Sequence, residues 1–237
     1  FEIINALHLM EDLKSGKKLR VKFGIDPTSP DLHLGHAVAL RVLKEFQDAG
    51  HKIILIIGDF TARIGDPSGR TETRKTLSPA EIKLNCKKYL GQARKILDIP
   101  RWSRKSKKIE IYYNSEWFEK KKASFFAELS SLVTYQQIMH RADFKKRIEA
   151  GSDITALELL YPLMQGYDSV EIKADVEVGG TDQLFNLLMG RQLQKRFGAP
   201  EQDVVMVPLL EGLDGIKKMS KSYGNYIALD ELPDDMF

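Results

Sequence analysis

Phe23-Gly-Ile-Asp-Pro-Thr-Ser-Pro-Asp-Leu-His-Leu-Gly-His36 is the stretch on which the reading of this chain turns. A short apolar run, Leu19 to Ile25, leads into it, and a helical pattern starts near Leu32. Between them lie two prolines, a threonine and two aspartates, the composition of a strand, a polar turn and a helix start. His33 and His36 are three apart, so on a helix they share a face near the positive end of its dipole, with Gly35 leaving the backbone bare between them. Bare backbone beside two imidazoles suits a flat base and a phosphate chain. Taken alone, the stretch also fits a helix that merely carries two exposed histidines.

Downstream, Ala37 to Ala49 repeats apolar residues at helical spacing and Gly50 closes that helix. Ile53-Ile-Leu-Ile-Ile57 follows, an unbroken and largely β-branched run that predicts a parallel strand covered on both faces. The two strands and the helix make a β-α-β unit, and such sheets bind ligands at the carboxyl ends of their strands. The loop after the second strand runs from Gly58 to Arg74. Its glycines at 58, 65 and 69 allow close backbone approach, Asp66 is an acceptor, and Arg70 and Arg74 offer forks for phosphate oxygens. It has neither the P-loop spacing nor the dinucleotide glycine fingerprint, and a turn-rich connection with solvated arginines is the plain alternative. Ala174 to Val178 reads as a further strand and runs into Gly179-Gly-Thr-Asp-Gln183, before a helix from Leu184 to Phe197. Thr181 or Asp182 can cap that helix. Val204 to Val207 is another buried strand, and the chain leaves it through Leu213-Asp-Gly-Ile-Lys-Lys-Met-Ser-Lys-Ser222.

The 237 residues, 43% hydrophobic and 29% charged, suffice for one large α/β core with an insertion. A net charge of +3 permits a nucleic-acid partner without demanding one. Cys86 is the only cysteine, which excludes an internal disulfide and a cysteine-only metal cage and fits a reducing cytosol. No apolar run approaches the ~20 residues of a membrane span and no signal peptide is visible, so a soluble, cytoplasmic protein is expected. Beginning at Phe1 and stopping at Phe237, the sequence reads as part of a longer chain. Residues 2 to 14 read as a helix with Ile3, Ile4, Leu7, Met10 and Leu13 on one face, and Pro79 to Leu97 as a long helix. Arg101 to Lys108 is a basic loop, either solvated or in contact with RNA, and Ile109 to Tyr113 is a strand. From about 115 to 165 the pattern is helical with no strand, an inserted segment of the kind that carries partner contacts. On the helix from Ile154 to Val170, Tyr161, Gln165 and Asp168 stand at i, i+4 and i+7, so three polar groups share one face.

Lys218-Met-Ser-Lys-Ser222 after the last strand, paired with His33-Leu-Gly-His36 after the first, resembles the two signatures of class I aminoacyl-tRNA synthetases. With Gly24-Ile-Asp-Pro-Thr28, Ile64-Gly-Asp-Pro-Ser-Gly69, Tyr161 to Asp168 and Gly179-Gly-Thr-Asp-Gln183, the chain resembles the catalytic domain of the bacterial tyrosyl-tRNA synthetases from about residue 19 to 229. The resemblance implies an α/β fold, a doubly wound parallel sheet of Rossmann-like nucleotide-binding type, with a helical connecting insertion at about 115–165. It also implies a homodimer built partly through that insertion, and an anticodon-recognising region that lies beyond this sequence. The implied activity is tyrosine–tRNA ligase. L-Tyrosine and ATP give tyrosyl adenylate and pyrophosphate, and the tyrosyl group then passes to the 3′ end of tRNA(Tyr).

Roles follow from the same resemblance. His33, His36, Lys218 and Lys221 are the implied catalytic residues, with the histidines meeting the phosphate chain. Asp26, Thr28, Gly35, Gly180, Asp182, Met219, Ser220, Ser222 and Arg70 are implied for ATP. Asp66, Tyr161 and Gln165 would hold the α-amino group of tyrosine, Gln183 its carboxylate and Asp168 its phenol hydroxyl. Mg²⁺ is expected with ATP and not at a dedicated protein site. Two positions depart from the family pattern. Arg70 stands where lysine is usual, and Lys22 stands where a tyrosine often supplies a second phenol partner. Three rivals are weaker: a tryptophanyl-tRNA synthetase, against which Asp168 and Gly179-Gly-Thr-Asp-Gln183 favour tyrosine; a nucleotidyltransferase sharing the histidine signature, which would lack Lys218 to Ser222 in this placement; and a non-catalytic RNA-binding relative, against which the intact histidines and lysines argue.

Overall fold

The computed structural model describes residues 1–68 and 77–236. In chain order it contains β1 (Glu2–Ile4), α1 (Ala6–Lys14), β2 (Arg20–Ile25), α2 (Leu34–Asp48), β3 (Lys52–Ile57), α3 (Pro79–Ala93) and β4 (Ile109–Tyr113). Helices α4 (Ser115–Phe118), α5 (Ala123–Ser131), α6 (Tyr135–Met139), α7 (Ala142–Glu149) and α8 (Ala156–Glu171) follow. The chain closes with β5 (Val176–Gly180), α9 (Leu184–Arg196), β6 (Asp203–Val207) and α10 (Pro233–Met236).

The described strands form one sheet in the order β1-β6-β5-β2-β3-β4. All neighbours run parallel except β1, which pairs antiparallel with β6 at the edge. From β2 the chain builds outward through β3 and β4, then returns to add β5 and β6 on the other side, which is the doubly wound α/β pattern. The alternation inside β3 shows how the sheet is covered. Ile53, Leu55 and Ile57 enter one core with Leu40 and Leu43 of α2 and Ile82 and Tyr89 of α3. Ile54 and Ile56 enter a second with Trp117 and Phe118 of α4, Leu163 of α8 and Met189 and Leu193 of α9. Each fully buried isoleucine contributes roughly 1.5–3 kcal/mol, and a strand buried on both faces carries no polar residue to spare. Cys86 packs into the first core, where burial pushes its thiol up to about 12 and keeps it protonated.

Three element readings need correction. Residues 2–14 are not one helix: Glu2–Ile4 is an edge strand, and Asn5 breaks it from α1 with φ of 67°. That left-handed conformation is one asparagine tolerates, and its side chain donates to Asp203 Oδ1 at 3.0 Å. Helix α3 stops at Ala93, four residues early. Its hydrogen bonds then shift to the tighter i→i−3 kind, Lys95 N to Gln92 O and Ile96 N to Ala93 O, ahead of Pro100. Strand β5 reaches Gly180, so both glycines of Gly179-Gly180 pair with β6 in the ladder.

Between β4 and α8 lie α4 to α7, all short. Thr155 opens α8 with a capping box: its hydroxyl accepts from Glu158 N, and Glu158 Oε2 accepts from Thr155 N at 2.9 Å. Arg147 of α7 donates to Glu158 Oε1 at 2.6 Å in a buried pair, which fixes α7 to the start of α8. Gly166 of α8 faces α9, where an added Cβ would come 3.0 Å from Leu193 Cδ1 and 3.1 Å from the Gly190 nitrogen. That close approach sets the depth at which α8 presents its polar face to the sheet.

Candidate active site

The order of winding reverses between β2 and β5, and a cavity of about 590 Å³ opens there at the carboxyl ends of the strands. The ends of β2 (Gly24, Ile25) with Asp26 just after it, of β5 (Val178 to Gly180) and of β6 (Val207) line it, as do the first turn of α2, the polar face of α8 and the loop around Met219.

One group of side chains is tightly cross-linked. Tyr161 donates to Asp26 Oδ2 at 3.0 Å, and Thr61 donates to Asp26 Oδ1 at 2.8 Å. Burial, then the charges of Asp26 and Asp66, hold the Tyr161 phenol well above its usual range, so it stays a donor. Asp66 accepts from the Ser68 backbone at 2.9 Å and from Gln183 Nε2 at 2.8 Å. Gln165 and Gln183 both turn their oxygens to Asn186 Nδ2, at 3.0 and 2.9 Å. Asp168 is buried, with Oδ1 accepting from the Trp117 indole at 3.0 Å and Oδ2 facing Asn114 at 3.4 Å. Burial is the largest influence on Asp168 and raises it to about 7, against the opposing pull of Lys22 and these two donors. Such a group can accept a hydroxyl hydrogen from a ligand deep in the pocket.

Lys22 does not line this cavity. It is fully buried, and its three N–H groups meet Glu177 Oε1 at 2.8 Å, Ser169 Oγ at 2.7 Å and the Gln165 carbonyl at 2.9 Å. All its donors are spent on protein acceptors, so Lys22 does not supply the second phenol partner that the family's tyrosine would. It acts on the pocket through its charge near Asp168 and through the backbone of α8.

A second group lies around α2. His33 is the N-cap residue of α2, and its backbone N–H meets His36 Nδ1 at 3.2 Å, with the two rings 4.0 Å apart. Burial, then the charge of Lys221 and of Lys218, lowers His33 to about 4. Burial also holds His36 well below its ordinary value. Both imidazoles are therefore neutral near pH 7 and offer ring N–H groups without positive charge. His33 Nδ1 is a buried polar atom with no protein partner. Leu34 N donates to Ile227 O and Leu229 N to Leu32 O, so the segment after the lysine signature packs back on the histidine loop. Lys218 pairs with Asp182 Oδ2 at 2.6 Å. Lys221 donates to Ser29 Oγ and to Tyr89 and lies over the Tyr89 ring, 5.2 Å from its centroid.

The structure thus brings Asp26, Thr28, His33, Gly35, His36, Asp66, Tyr161, Gln165, Asp168, Gly180, Asp182, Gln183, Lys218, Met219 and Ser220 to one cavity. Lys221 stands behind it at Ser29 and Tyr89, and Ser222 lies next in the same turn. Arg70 and Arg74 lie outside the described residues. Asp182 and Thr181 make no side-chain cap to the helix that follows; the Asp182 carboxylate faces Lys218 instead. Among the described residues no three His, Cys, Asp or Glu side chains converge as a metal cage.

Sequence reasoning missed several residues that hold these groups in place. Asn186 follows Gln183 at i+3, and Asn114 stands directly after β4 at a strand's carboxyl end, so both carried a usable signal. Trp117, Thr61 and Arg141 carried none, since their partners are distant in sequence.

The model of one protein family, tRNA synthetases class I (W and Y), matches residues 14–237. A tyrosine–tRNA ligase of Carboxydothermus hydrogenoformans is 52% identical over 240 residues, covering 100% of this chain and 57% of that protein. One of Thermotoga maritima is 52% identical over 236 residues, with 100% and 57% covered. The chain therefore spans 57% of the length of each of these relatives. In fold it is similar to the tyrosyl-tRNA synthetase of Archaeoglobus fulgidus solved with L-tyrosine, with a TM-score of 0.78 and 24% identity over 98% of this chain and 67% of that one.

Proposed function

The chain belongs to the class I tRNA synthetases (W and Y), and from that premise we propose that it is the catalytic part of a tyrosine–tRNA ligase. L-Tyrosine is activated by ATP to tyrosyl adenylate and pyrophosphate, and the tyrosyl group then passes to the 3′ end of tRNA(Tyr). The observation that carries this reading is one cavity in which the polar side chains of α8 face the two imidazoles of α2 and Lys218.

In this reading Asp168 accepts the phenol hydroxyl, and Asp66, Tyr161 and Gln165 face the ammonium, with Gln183 beside the carboxylate. The carboxylate attacks the α-phosphorus, so the protein needs no side-chain nucleophile. It positions the reactants and stabilises the charge that grows on the departing pyrophosphate. Because His33 and His36 are neutral, they serve as hydrogen-bond donors, and Lys218 and Lys221 carry the positive charge. An arriving phosphate would draw Lys218 from Asp182, and Asp182 with Gly180 would then be left to the ribose. Gly35 lets the adenine approach the backbone, and Thr28, Met219, Ser220 and Ser222 complete the nucleotide side, with Arg70 as a further phosphate contact.

Mg²⁺ is assigned to ATP. Asp26 and Asp66 already accept from protein donors, which supports carrying the ion on the nucleotide. A homodimer using the 115–165 insertion, a longer chain with an anticodon-recognising region and a cytoplasmic location belong to the same proposal. No helix among the described residues is long and apolar enough to cross a membrane.

The experiment is ATP–pyrophosphate exchange driven by single amino acids. Tyrosine should support exchange and tryptophan should not; exchange with tryptophan alone would transfer the assignment to the sister specificity.

A further inference from the structure

Arg141 lies in the insertion between α6 and α7, yet it is 4% exposed. Its guanidinium carbon sits 5.0 Å from the Phe144 ring centroid and 4.9 Å from that of Phe185. Two of its nitrogens bind Asp143, at 2.7 and 3.0 Å. Burial alone would raise Asp143, but the Arg141 hydrogen bonds and charge outweigh it and hold the carboxyl below its usual range. The remaining donors point inward, Nη1 to Asn186 Oδ1 at 2.8 Å and Nη2 to Ser68 Oγ at 2.9 Å. Neither Arg141 nor Asn186 lines the cavity.

A guanidinium can only donate, so it dictates which end of the Asn186 amide faces it. With Oδ1 committed to Arg141, Nδ2 must face the other way, and it meets the oxygens of Gln183 and Gln165 at 2.9 and 3.0 Å and Ser68 Oγ at 3.2 Å. With its oxygen held, Gln183 presents Nε2 to Asp66 Oδ2 at 2.8 Å. The Ser68 arm reaches the same carboxylate, because the Ser68 backbone N–H donates to Asp66 Oδ1. One buried cation thus fixes the facing of three amides and one carboxylate, and a reversed amide anywhere in the chain would set donor against donor.

Resting on the tyrosine-activation reading, we propose that Arg141, acting through Asn186, is a positioning residue for the amino-acid subsite. It sets the polarity of the amides around the ammonium and carboxylate of the substrate. Since it belongs to the insertion and not to the sheet, it also ties the placement of that insertion to tyrosine binding.

The test uses the full-length chain in tyrosine-dependent pyrophosphate exchange, with Arg141→Met, Asn186→Leu, the double variant and Arg141→Lys. The loss of an aligned, charge-assisted contact should raise KM for tyrosine about tenfold in each of the first two variants. KM for ATP and kcat at saturating tyrosine should move less than about twofold, since neither residue touches the phosphate side. The double variant should be no worse than the poorer single, because both interrupt one chain. Arg141→Lys can reach one acceptor at a time and should fall between wild type and Arg141→Met.

A merely structural role would lower the melting temperature and the active fraction but leave KM for tyrosine unchanged in the folded enzyme, and that result overturns the proposal. Multiplying effects in the double variant overturn it too. Should Arg141→Met fail to fold, Asn186→Leu and Arg141→Lys decide by the same criterion. A wild-type chain that supports no tyrosine-dependent exchange sinks the functional reading, and the relay with it; normal wild-type exchange with unmoved variants sinks the relay alone.

Discussion

Asp168 and Lys218 line the same cavity and are held in opposite ways. Asp168 is 4% exposed, fixed by Trp117 and Asn114 on a helix that packs through Gly166 onto α9. Lys218 is part-exposed on a loop and tied to one carboxylate. The contrast extends to their neighbours. Around α8, Asp66, Tyr161, Gln165, Asp168 and Gln183 are each held by at least one protein partner before any ligand arrives. Around α2, His33 Nδ1 has none and the lysines hold contacts that a phosphate can replace. A pocket that must tell one side chain from another gains from rigid, saturated hydrogen bonding, because an unmatched group is then costly. In the proposed reaction, a region that must follow charge from ATP to the departing pyrophosphate gains from groups that can exchange partners.

The strongest way to break this contrast is from the phosphate side. Lys218→Ala should lower kcat for exchange by about 10² to 10³, the range for loss of one group that stabilises charge in the transition state, with KM for tyrosine little changed; pre-steady-state adenylate formation would measure it. Gly58→Ala should damage both sides together. A Cβ there would lie 2.0 Å from Asp26 Oδ1 and 2.3 Å from Thr61 Oγ1, and Asp26 also anchors Tyr161. Displacing it by about an ångström should cost on the order of a hundredfold in kcat/KM, with KM for tyrosine and for ATP both rising.

A smaller effect should come with pH. Burial raises Asp168 to about 7, against Lys22, Asn114 and Trp117 and together with the charge of Glu177. It is therefore ionised above that value and neutral below. Leaving a charged carboxylate unmatched costs more than leaving a neutral one, so preference for tyrosine over phenylalanine should fall several-fold from pH 8 to pH 6. The tyrosyl-tRNA synthetases are a known case in which a site built to bond a hydroxyl rejects phenylalanine. The smallest effect is on stability. Folded His33 takes up a proton only near pH 4, against 6.5 ordinarily. Between those values the unfolded chain binds more protons, so stability drops as pH falls through that window. Melting curves should show the decline, less steep in His33→Gln.

The two regions also differ in how far the sequence disclosed them. The parallel sheet was legible because Ile53 to Ile57 leaves little choice but a strand buried on both faces, and the loops at strand ends were legible from glycines and charged residues at turns. Spacing alone placed Tyr161, Gln165 and Asp168 on one face, and the structure sets them along one wall of the cavity. What stayed hidden depends on contacts between distant residues. Asn5 splits a strand from a helix where hydrophobic spacing reads as one helix, because its left-handed backbone leaves no mark on the pattern. Lys22 stood out as a departure from a family pattern, but its partner Glu177 is on a neighbouring strand and its third acceptor is a backbone carbonyl. Arg141 has no signal in the sequence, because its partners Asn186 and Ser68 are far away along the chain.

The most direct measurement of the division between the two regions is the preference for tyrosine over phenylalanine, taken as the ratio of kcat/KM in pyrophosphate exchange, in Asp168→Asn and Lys218→Ala side by side. The account predicts that Asp168→Asn lowers the ratio by about tenfold or more, while Lys218→Ala slows both substrates alike and leaves it within about twofold. An unchanged ratio in Asp168→Asn, or a ratio that collapses in Lys218→Ala, would contradict it.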